Sequence, residues 1–308
     1  MSIKNFLVRI GVAGLALTAT AGVYAALPAE AAQRPQPITT CGQVITKASA
    51  YLARDLTCTQ GFNISSAASP EDISIDLRGH RLQGPGSGTA VSVGGEVPYV
   101  ASLELKNGRL DHWGTAVSST FASTTLTNVT LDHNALALHC AAGNCTVSNS
   151  RIENNTVGTT SIEAGLVFND NVFRGNGTAS EASSLGEFSG ATYTDNSFEA
   201  NTVGVSIAPN IQVNLIGNRF TQNVVGVKGT DPDGAGVFFA GLTNNWFEKN
   251  RDGINFALNE NSGDAVLKGN VAVKNTRYGI YAPGAVDAGG NAASRNGRPC
   301  VGVVCDRP

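Results

Sequence analysis

Pairs of apolar residues that bracket a four-residue turn recur along this chain at intervals of 21 to 28 residues. The nine pairs are Leu77/Leu82, Leu105/Leu110, Leu126/Leu131, Val147/Ile152, Phe168/Phe173, Tyr193/Phe198, Leu215/Phe220, Leu242/Phe247 and Leu267/Ala272. The second position inside the brackets holds, in order, Gly79, Asn107, Asn128, Asn149, Asp170, Asp195, Gly217, Asn244 and Gly269. Gly, Asn and Asp tolerate a left-handed backbone, so each bracket predicts a fixed corner. Repeated corners flanked by inward apolar residues predict a parallel β-solenoid.

The residues after each bracket predict two further short strands in every coil. In residues 193 to 207, Phe198 starts a second strand, Asn201 ends it, and Gly204 opens a third strand with alternating apolar residues. Three short parallel strands per repeat describe an all-β fold, a right-handed parallel β-helix (solenoid) of about ten coils. We expect the bracket residues to point inward along its whole length.

Two columns of asparagine support this fold. The first column holds Asn134, Asn155, Asn176, Asn201, Asn223, Asn250, Asn275 and Asn296. The second column, one residue after the corner, holds Asn171, Asn196, Asn218, Asn245 and Asn270. Amide side chains stacked at about 4.8 Å can hydrogen-bond along the axis. We therefore interpret both columns as structural ladders rather than as a polar ligand-binding row.

The N-terminal residues predict export. Lys4 and Arg9 stand at the start of an apolar stretch, and Ala29-Glu30-Ala31 fits a small-x-small cleavage site. A transmembrane anchor is the alternative, but the apolar run is short for one. The expected boundaries are residues 1–32 for a signal peptide, 33–40 for a linker and 41–308 for one β-helix domain.

Six cysteines agree with export. They are spaced as three local pairs, Cys41/Cys58, Cys140/Cys145 and Cys300/Cys305. An even count in an exported chain favours disulfides, whereas zinc needs tighter clusters with histidine, and only His139 sits beside a cysteine. These pairings rest on proximity, and the sequence leaves other connectivities open. The first and last pairs predict disulfide-tethered end caps, which cover the unpaired edges of a solenoid.

The charge pattern argues against a nucleic-acid surface. The formal net charge is −3, and no run of Lys and Arg along the sequence exceeds an occasional pair. No segment after the signal peptide is long and apolar enough to span a bilayer. We therefore expect a secreted, extracellular monomer without a transmembrane segment in its mature part.

One stretch carries a family resemblance. After Cys41, the run Asp76-Leu77-Arg78-Gly79-His80-Arg81-Leu82-Gln83-Gly84 precedes coils of the form Asn-x-x-Gly-[Ile/Val]. This pattern, over roughly residues 41 to 305, resembles exported bacterial right-handed parallel β-helix repeat proteins, which are related in architecture to pectate lyases, alginate lyases and mannuronan C5-epimerases. The resemblance implies the fold and an extracellular polysaccharide partner, but this architecture hosts catalytic and non-catalytic members. Asp132-His133-Asn134 lacks the Pro and second Asp of the epimerases' Asp-Pro-His-Asp motif, and the pectate-lyase arginine motif is absent.

Asp111-His112 and Asp132-His133 are the candidate catalytic residues. They lie 21 residues apart, which predicts direct register one coil apart, about 4.8 Å along the axis. Glu153 continues the carboxylate column, so Asp111, Asp132 and Glu153 are candidate metal ligands, with calcium the expected ion. Proton abstraction beside a uronate carboxyl needs a base, a group that neutralises the carboxylate and a proton donor. Asp, His and a bound cation could supply all three.

Carboxylates in direct register repel each other. The repulsion predicts a bound cation, a shared proton or side chains turned into water. Glu199 and Glu248 recur at the same step of later coils, which favours the solvated face.

Trp113, Arg78 and Arg81 are the candidate substrate-binding residues. Trp113 is either a sugar-stacking platform or a plug in the asparagine column, whose position it occupies. Arginine suits carboxylate recognition, although the segment of Arg78 and Arg81 also matches the first-coil pattern of the resembling proteins. Together these features predict a secreted β-helix protein that engages extracellular polysaccharide, as a polyuronate lyase or epimerase. The alternative is a non-catalytic surface or matrix protein, or a carbohydrate-binding structural protein.

Overall fold

The computed structural model describes residues 34–64, 72–94, 102–184, 189–208, 210–230, 239–257 and 265–307. The predicted signal peptide, residues 1–32, lies outside this part of the chain. The described strands pair in parallel and form sheets of 21 and 11 strands. They build a parallel β-helix of about ten coils without an α-helix among the described residues, which confirms the predicted fold.

Each coil has three sides. The first side comprises Gln36–Ile38, Ser49–Leu52, Asp72–Asp76, the first parts of Ser102–Asp111 and Ser123–Asp132, Asn144–Ser148, Gly165–Asn169, Ser189–Thr194, Ile211–Ile216, Phe239–Thr243, Val266–Lys268 and Val286–Asp287. The second side comprises Leu56–Thr57, Arg81–Gln83, the last parts of Ser102–Asp111 and Ser123–Asp132, Arg151–Glu153, Val172–Arg174, Ser197–Glu199, Arg219–Thr221, Trp246–Glu248, Val271–Val273 and Ala292–Ser294. The third side comprises Phe62–Asn63, Thr89–Gly94, Thr115–Thr120, Leu136–Ala141, Val157–Ile162, Thr178–Ser183, Val203–Ile207, Val225–Thr230, Asp252–Ala257, Tyr278–Tyr281 and Arg298–Val301.

The bracket residues behave as predicted. Every one of them is fully buried, and the Gly, Asn or Asp between them has a φ between 51° and 80°. This first corner turns the chain from the first side to the second. The apolar bracket residues stack from coil to coil: the rings of Phe173, Phe198, Phe220 and Phe247 lie 4.6, 4.6 and 4.8 Å apart and within 9° of parallel. The core is therefore a column of like residues along the axis.

Both asparagine columns are hydrogen-bonded ladders. Asn176 is typical, since its Oδ1 accepts the backbone N–H of Asn155 at 2.9 Å and the Nδ2–H of Asn155 at 3.1 Å. Its own Nδ2 donates to the carbonyl of Ile152 at 2.8 Å. The buried amides thus satisfy backbone groups at the corners, where a strand ladder cannot. The second column continues beyond the predicted residues to Asn291.

The ends of the described solenoid carry two of the three disulfides. Cys41–Cys58, Cys140–Cys145 and Cys300–Cys305 are bonded as predicted, with Cys140–Cys145 in the middle of the chain. The predicted linker boundary differs from the structure, because Gln36–Ile38 pairs with Ala50, Tyr51 and Leu52. Ile38 is fully buried, so the first coil already begins within residues 33–40. No helix of the described residues is long and apolar enough to cross a membrane.

Candidate functional site

The candidate catalytic residues lie at the end of the second side. Asp111 pairs in direct register with Asp132, and Asp132 with Glu153, as the spacing predicted. The residues that follow them, His112 and His133, turn the chain toward the third side in a second corner. Their φ values are 57° and 53°. Each histidine therefore has a left-handed backbone conformation and directly follows the aspartate of its own coil.

Asp111 is enclosed by two guanidinium groups and one imidazole. Its side chain is 0% exposed. Arg81, one coil before, donates through Nε to Oδ1 at 2.8 Å and through Nη2 to Oδ2. Arg109 Nε lies 3.6 Å from Oδ2, and His112 Nδ1 lies 3.0 Å from the same oxygen. The carboxylate is thus buried under side chains of two successive coils.

Asp132 has the same arrangement one coil later. Arg109 pairs with its Oδ2 through Nη2, and His133 Nδ1 lies 2.8 Å from Oδ1. Asn154 Nδ2 donates to Oδ1 at 2.9 Å. Arg109 therefore bridges Asp111 and Asp132, and its charge lies between the two carboxylates. Neither a shared proton nor side chains turned into water relieve the predicted repulsion; interleaved arginines do, which the sequence analysis did not anticipate.

The pKa values of both aspartates reflect this enclosure. Burial by itself raises the pKa of Asp111, but hydrogen bonds from Arg81 and His112 and the nearby guanidinium charges outweigh it. Burial likewise opposes the hydrogen bonds from Asn154 and His133 at Asp132. The net result is a pKa below the ordinary value of 3.8 for each carboxyl. Both aspartates are therefore ionised at neutral pH and can only accept hydrogen bonds.

An ionised carboxylate fixes the tautomer of the imidazole beside it. Because Asp111 and Asp132 cannot donate, Nδ1 of His112 and of His133 carries the proton in each contact. In the neutral ring, Nε2 then holds the free lone pair. The two rings stack with centroids 5.4 Å apart and an interplanar angle of 7°, and their side chains are 45% and 54% exposed. The result is two parallel Asp–His dyads, each with a nitrogen available for proton transfer.

Glu153, the third predicted metal ligand, pairs with Arg151. Arg151 Nη2 lies 2.6 Å from Glu153 Oε1. Within the described residues, no group of three or more His, Cys, Asp or Glu side chains is arranged to hold a metal ion. Calcium would have to compete with Arg81, Arg109 and Arg151 for these oxygens. The calcium site at Asp111, Asp132 and Glu153 stays a prediction, which calorimetric titration of the wild type and of Asp132→Asn tests.

Trp113 fills the position of an asparagine in the first ladder. It is 1% exposed, its backbone N–H donates to Asn134 Oδ1 at 2.9 Å, and its Nε1 donates to the Leu82 carbonyl at 3.1 Å. A ring buried in this way presents no face to a sugar. Of the two alternatives drawn from the sequence, the plug fits this geometry and the stacking platform does not.

Arg78 and Arg81 lie on different parts of the coil. Arg81 belongs to the second side and faces Asp111, whereas Arg78 stands at the first corner with a φ of 51°. The guanidinium carbon of Arg78 lies 3.5 Å from the ring centroid of Tyr51. The structure therefore brings Arg81, but not Arg78, to the dyads.

Arg109 and Asn154 were given no role from the sequence. Arg109 could have been found, since strand alternation places residues i and i+2 on one face and thus Arg109 beside Asp111. A groove of about 660 Å³ was also missed; it lies at the third corner and is lined in part by Phe121, Asn144 and Glu163. Phe121 is 48% exposed with a φ of 55°. Among the described lining residues Glu163 is the only carboxylate, so the groove offers no acid–base pair.

Comparison with known proteins gives a structural likeness. No protein-family model matches this sequence, and no curated protein matches it. Among solved structures, a mutant of the periplasmic alginate epimerase AlgG is similar, with 13% sequence identity and a TM-score of 0.39. The similarity covers 82% of this chain and 76% of that chain.

Proposed function

We propose that this chain is an exported β-helix protein that binds an acidic polysaccharide along its second side and acts on it as a polyuronate lyase. The observation that carries the proposal is the pair of stacked Asp–His dyads at His112 and His133. Export and an extracellular location are part of the proposal. They are supported by the N-terminal signal pattern and by three disulfides, which persist in oxidising compartments.

The dyads suit proton abstraction beside a carboxylate. A general base must lie within hydrogen-bond reach of the proton that it removes. An ionised carboxylate that accepts a hydrogen bond from Nδ1 holds the imidazole in place and so fixes the direction of Nε2. Arg81 engages Asp111 through Nε and Nη2, and a guanidinium carries five N–H donors, so Nη1 can also bind a substrate carboxylate. Binding of this kind stabilises the negative charge that develops when the neighbouring C–H proton is removed.

Two imidazoles on one side of the substrate favour elimination over epimerisation. One neutral imidazole takes the proton from C5 at Nε2, and the C4–oxygen bond breaks as a C4–C5 double bond forms. The other ring enters the step as the imidazolium and protonates the departing oxygen from its Nε2. Epimerisation instead needs a proton donor on the opposite face of the sugar, which solvent would have to supply. His112 and His133 lie on adjacent coils of one corner, so both reach the substrate from the same direction.

A non-catalytic carbohydrate-binding or matrix protein is the second candidate. It is favoured by arginine–carboxylate pairs that continue along the second side in coils without histidine. Arg174 Nη2 lies 2.9 Å from Glu199, and Arg219 Nη2 lies 2.8 Å from Glu248. Such repeated ion pairs stabilise the surface of the solenoid without any catalytic role. The arginine–aspartate pairs at the dyads would then be two further members of the same repeat.

Incubation of the mature chain with a panel of uronate polymers, with and without calcium, separates these candidates. We expect unsaturated, ultraviolet-absorbing products from at least one polymer, and we expect none from a neutral glucan. His112→Ala and His133→Ala should each lower the rate at least about 100-fold, the usual contribution of a positioned acid or base. His139→Ala is the matched control, because His139 lies on the third side, 3.0 Å from Thr160. Binding without products from every uronate polymer supports the second candidate.

A further inference from the structure

The last three coils carry a basic edge on a chain whose overall charge is negative. The formal net charge of the chain is −3. The edge begins at the second corner and runs into the third side in each of these coils. We define the basic edge as Lys249, Arg251, Lys274, Arg277, Arg295 and Arg298.

The strand register stacks three of these cations in one column. Glu248 pairs with Val273, and Val273 with Ser294, so the residues after them, Lys249, Lys274 and Arg295, occupy successive corners. All three have a φ of 56°. On the third side, Asp252 pairs with Tyr278 and Tyr278 with Arg298, so Arg298 lies level with Tyr278 while Arg251 and Arg277 lie level with each other, one residue before. Neighbouring cations of the corner column are one rung apart, about 4.8 Å.

Among the described residues of these coils, two carboxylates lie at the edge. Asp252 is fully buried and is paired by Arg277 and Arg251. Glu248 is bound by Arg219 at 2.8 Å, while Lys249 and Lys274 stay 3.7 and 3.8 Å away. In the part of the chain that the structure describes, Arg295 and Arg298 form no ion pair. The edge therefore retains an excess of positive charge on exposed side chains.

Like charges in register are unfavourable, and elsewhere on the second side opposite charges compensate for them. Arg81, Arg109 and Arg151 each face a carboxylate. At the basic edge, four of the six cations share Asp252 and Glu248, and Arg295 and Arg298 form no ion pair among the described residues. This shortage of carboxylates points to a counter-charge supplied from outside. Aromatic rings accompany the cations: Tyr278 lies under the guanidinium groups of Arg277 and Arg298, at 4.9 and 5.8 Å.

We infer that the basic edge binds the acidic polysaccharide itself, with the polymer parallel to the solenoid axis. A polyuronate carries one carboxylate per sugar, so its charges repeat at a spacing comparable with one rung of about 4.8 Å. Lys249, Lys274 and Arg295 stand in the same corner column as His112 and His133. The inference rests on the proposed function, since it assigns to that polymer a binding surface five rungs, about 24 Å, from the dyads.

Equilibrium binding of uronate oligomers tests the inference. The triple variant Lys249→Gln/Lys274→Gln/Arg295→Gln should bind roughly tenfold or more weakly than the wild type, because three charge-assisted contacts are lost. Lys47→Gln/Lys228→Gln/Lys268→Gln removes the same charge from one half-buried and two exposed positions elsewhere and should bind like the wild type. Lys249→Arg/Lys274→Arg keeps the charge and should also bind normally. Added salt should weaken wild-type binding far more than binding of the triple variant.

The outcomes separate this inference from the proposed function. If the folded triple variant binds uronate oligomers as the wild type does, the basic edge is not their site, whether or not the wild type forms products. If the wild type binds through the basic edge and forms no products, the inference stands and the lyase proposal falls. Failure of the wild type to bind uronate oligomers, or binding of sulfated polymers or nucleic acid alone, overturns the inference.

Discussion

Two buried aspartates set the chemistry available at the dyads. Asp111 and Asp132 are shielded from water but ionised, because arginine, histidine and asparagine donors outweigh the cost of burial. Their charge orients His112 and His133 and leaves a ring nitrogen of each free for proton transfer. Arg109 serves both carboxylates, so the two dyads are one electrostatic unit rather than two.

The lowered pKa values of Asp111 and Asp132 predict loss of stability in acid. Each carboxyl has a lower pKa in the folded chain than its ordinary value of 3.8. As pH falls, these carboxyls therefore take up protons in the unfolded chain before they do so in the folded chain. Their contribution to the free energy of unfolding is complete above about pH 4 and is lost as pH falls through the lower pKa of the folded chain. Denaturant unfolding at a series of pH values measures this, and Asp111→Asn/Asp132→Asn should flatten the curve below pH 4. An unchanged pH dependence in this double variant would contradict the account.

At the scale of the coil, the repeated elements follow from residue type. At the first corner the second bracket position holds only Gly, Asn or Asp, so the sequence predicts this corner in nearly every coil. The second corner is harder to locate, because His112, Ala200, Gln222 and Lys249 all adopt a positive φ there. Residue type gives no signal at such a position. The buried asparagine that follows this corner, as Asn201 follows Ala200, is what marks it in the sequence.

The first asparagine ladder should be a major source of stability. Replacement of Asn201 by alanine removes the acceptor of Asn176 and the donor to the Phe173 carbonyl, and it leaves buried polar groups unpaired. We expect a loss of about 2 to 3 kcal/mol in the free energy of unfolding, the cost of such orphaned groups. Thr202→Ala, at the exposed next residue, should change it by less than about 0.5 kcal/mol. Equal effects of the two substitutions in urea unfolding would show that the ladder is not stabilising.

At the scale of the whole molecule, residues that are one coil apart in the sequence become neighbours on the surface of the solenoid. The fold was predictable because brackets and ladders recur in register. The basic edge was not, because Lys249, Lys274 and Arg295 are separated by whole coils and never form a basic run along the chain. The contact of Arg81 with Asp111 was not predicted for a related reason, because Arg81 reaches Asp111 from the preceding coil. Contacts across coils depend on side-chain direction, which spacing alone does not fix.

Exchange of the C5 proton of a polyuronate tests the central claim most directly. In deuterium oxide, proton abstraction by the His112–His133 pair should lower the C5–H signal in the proton magnetic resonance spectrum, because each sugar that reacts loses this proton. We predict loss of this signal with the wild type and with His139→Ala, and its full retention with His112→Ala/His133→Ala. A polymer that binds the wild-type chain and keeps its C5–H signal throughout would contradict the claim that the dyads transfer protons.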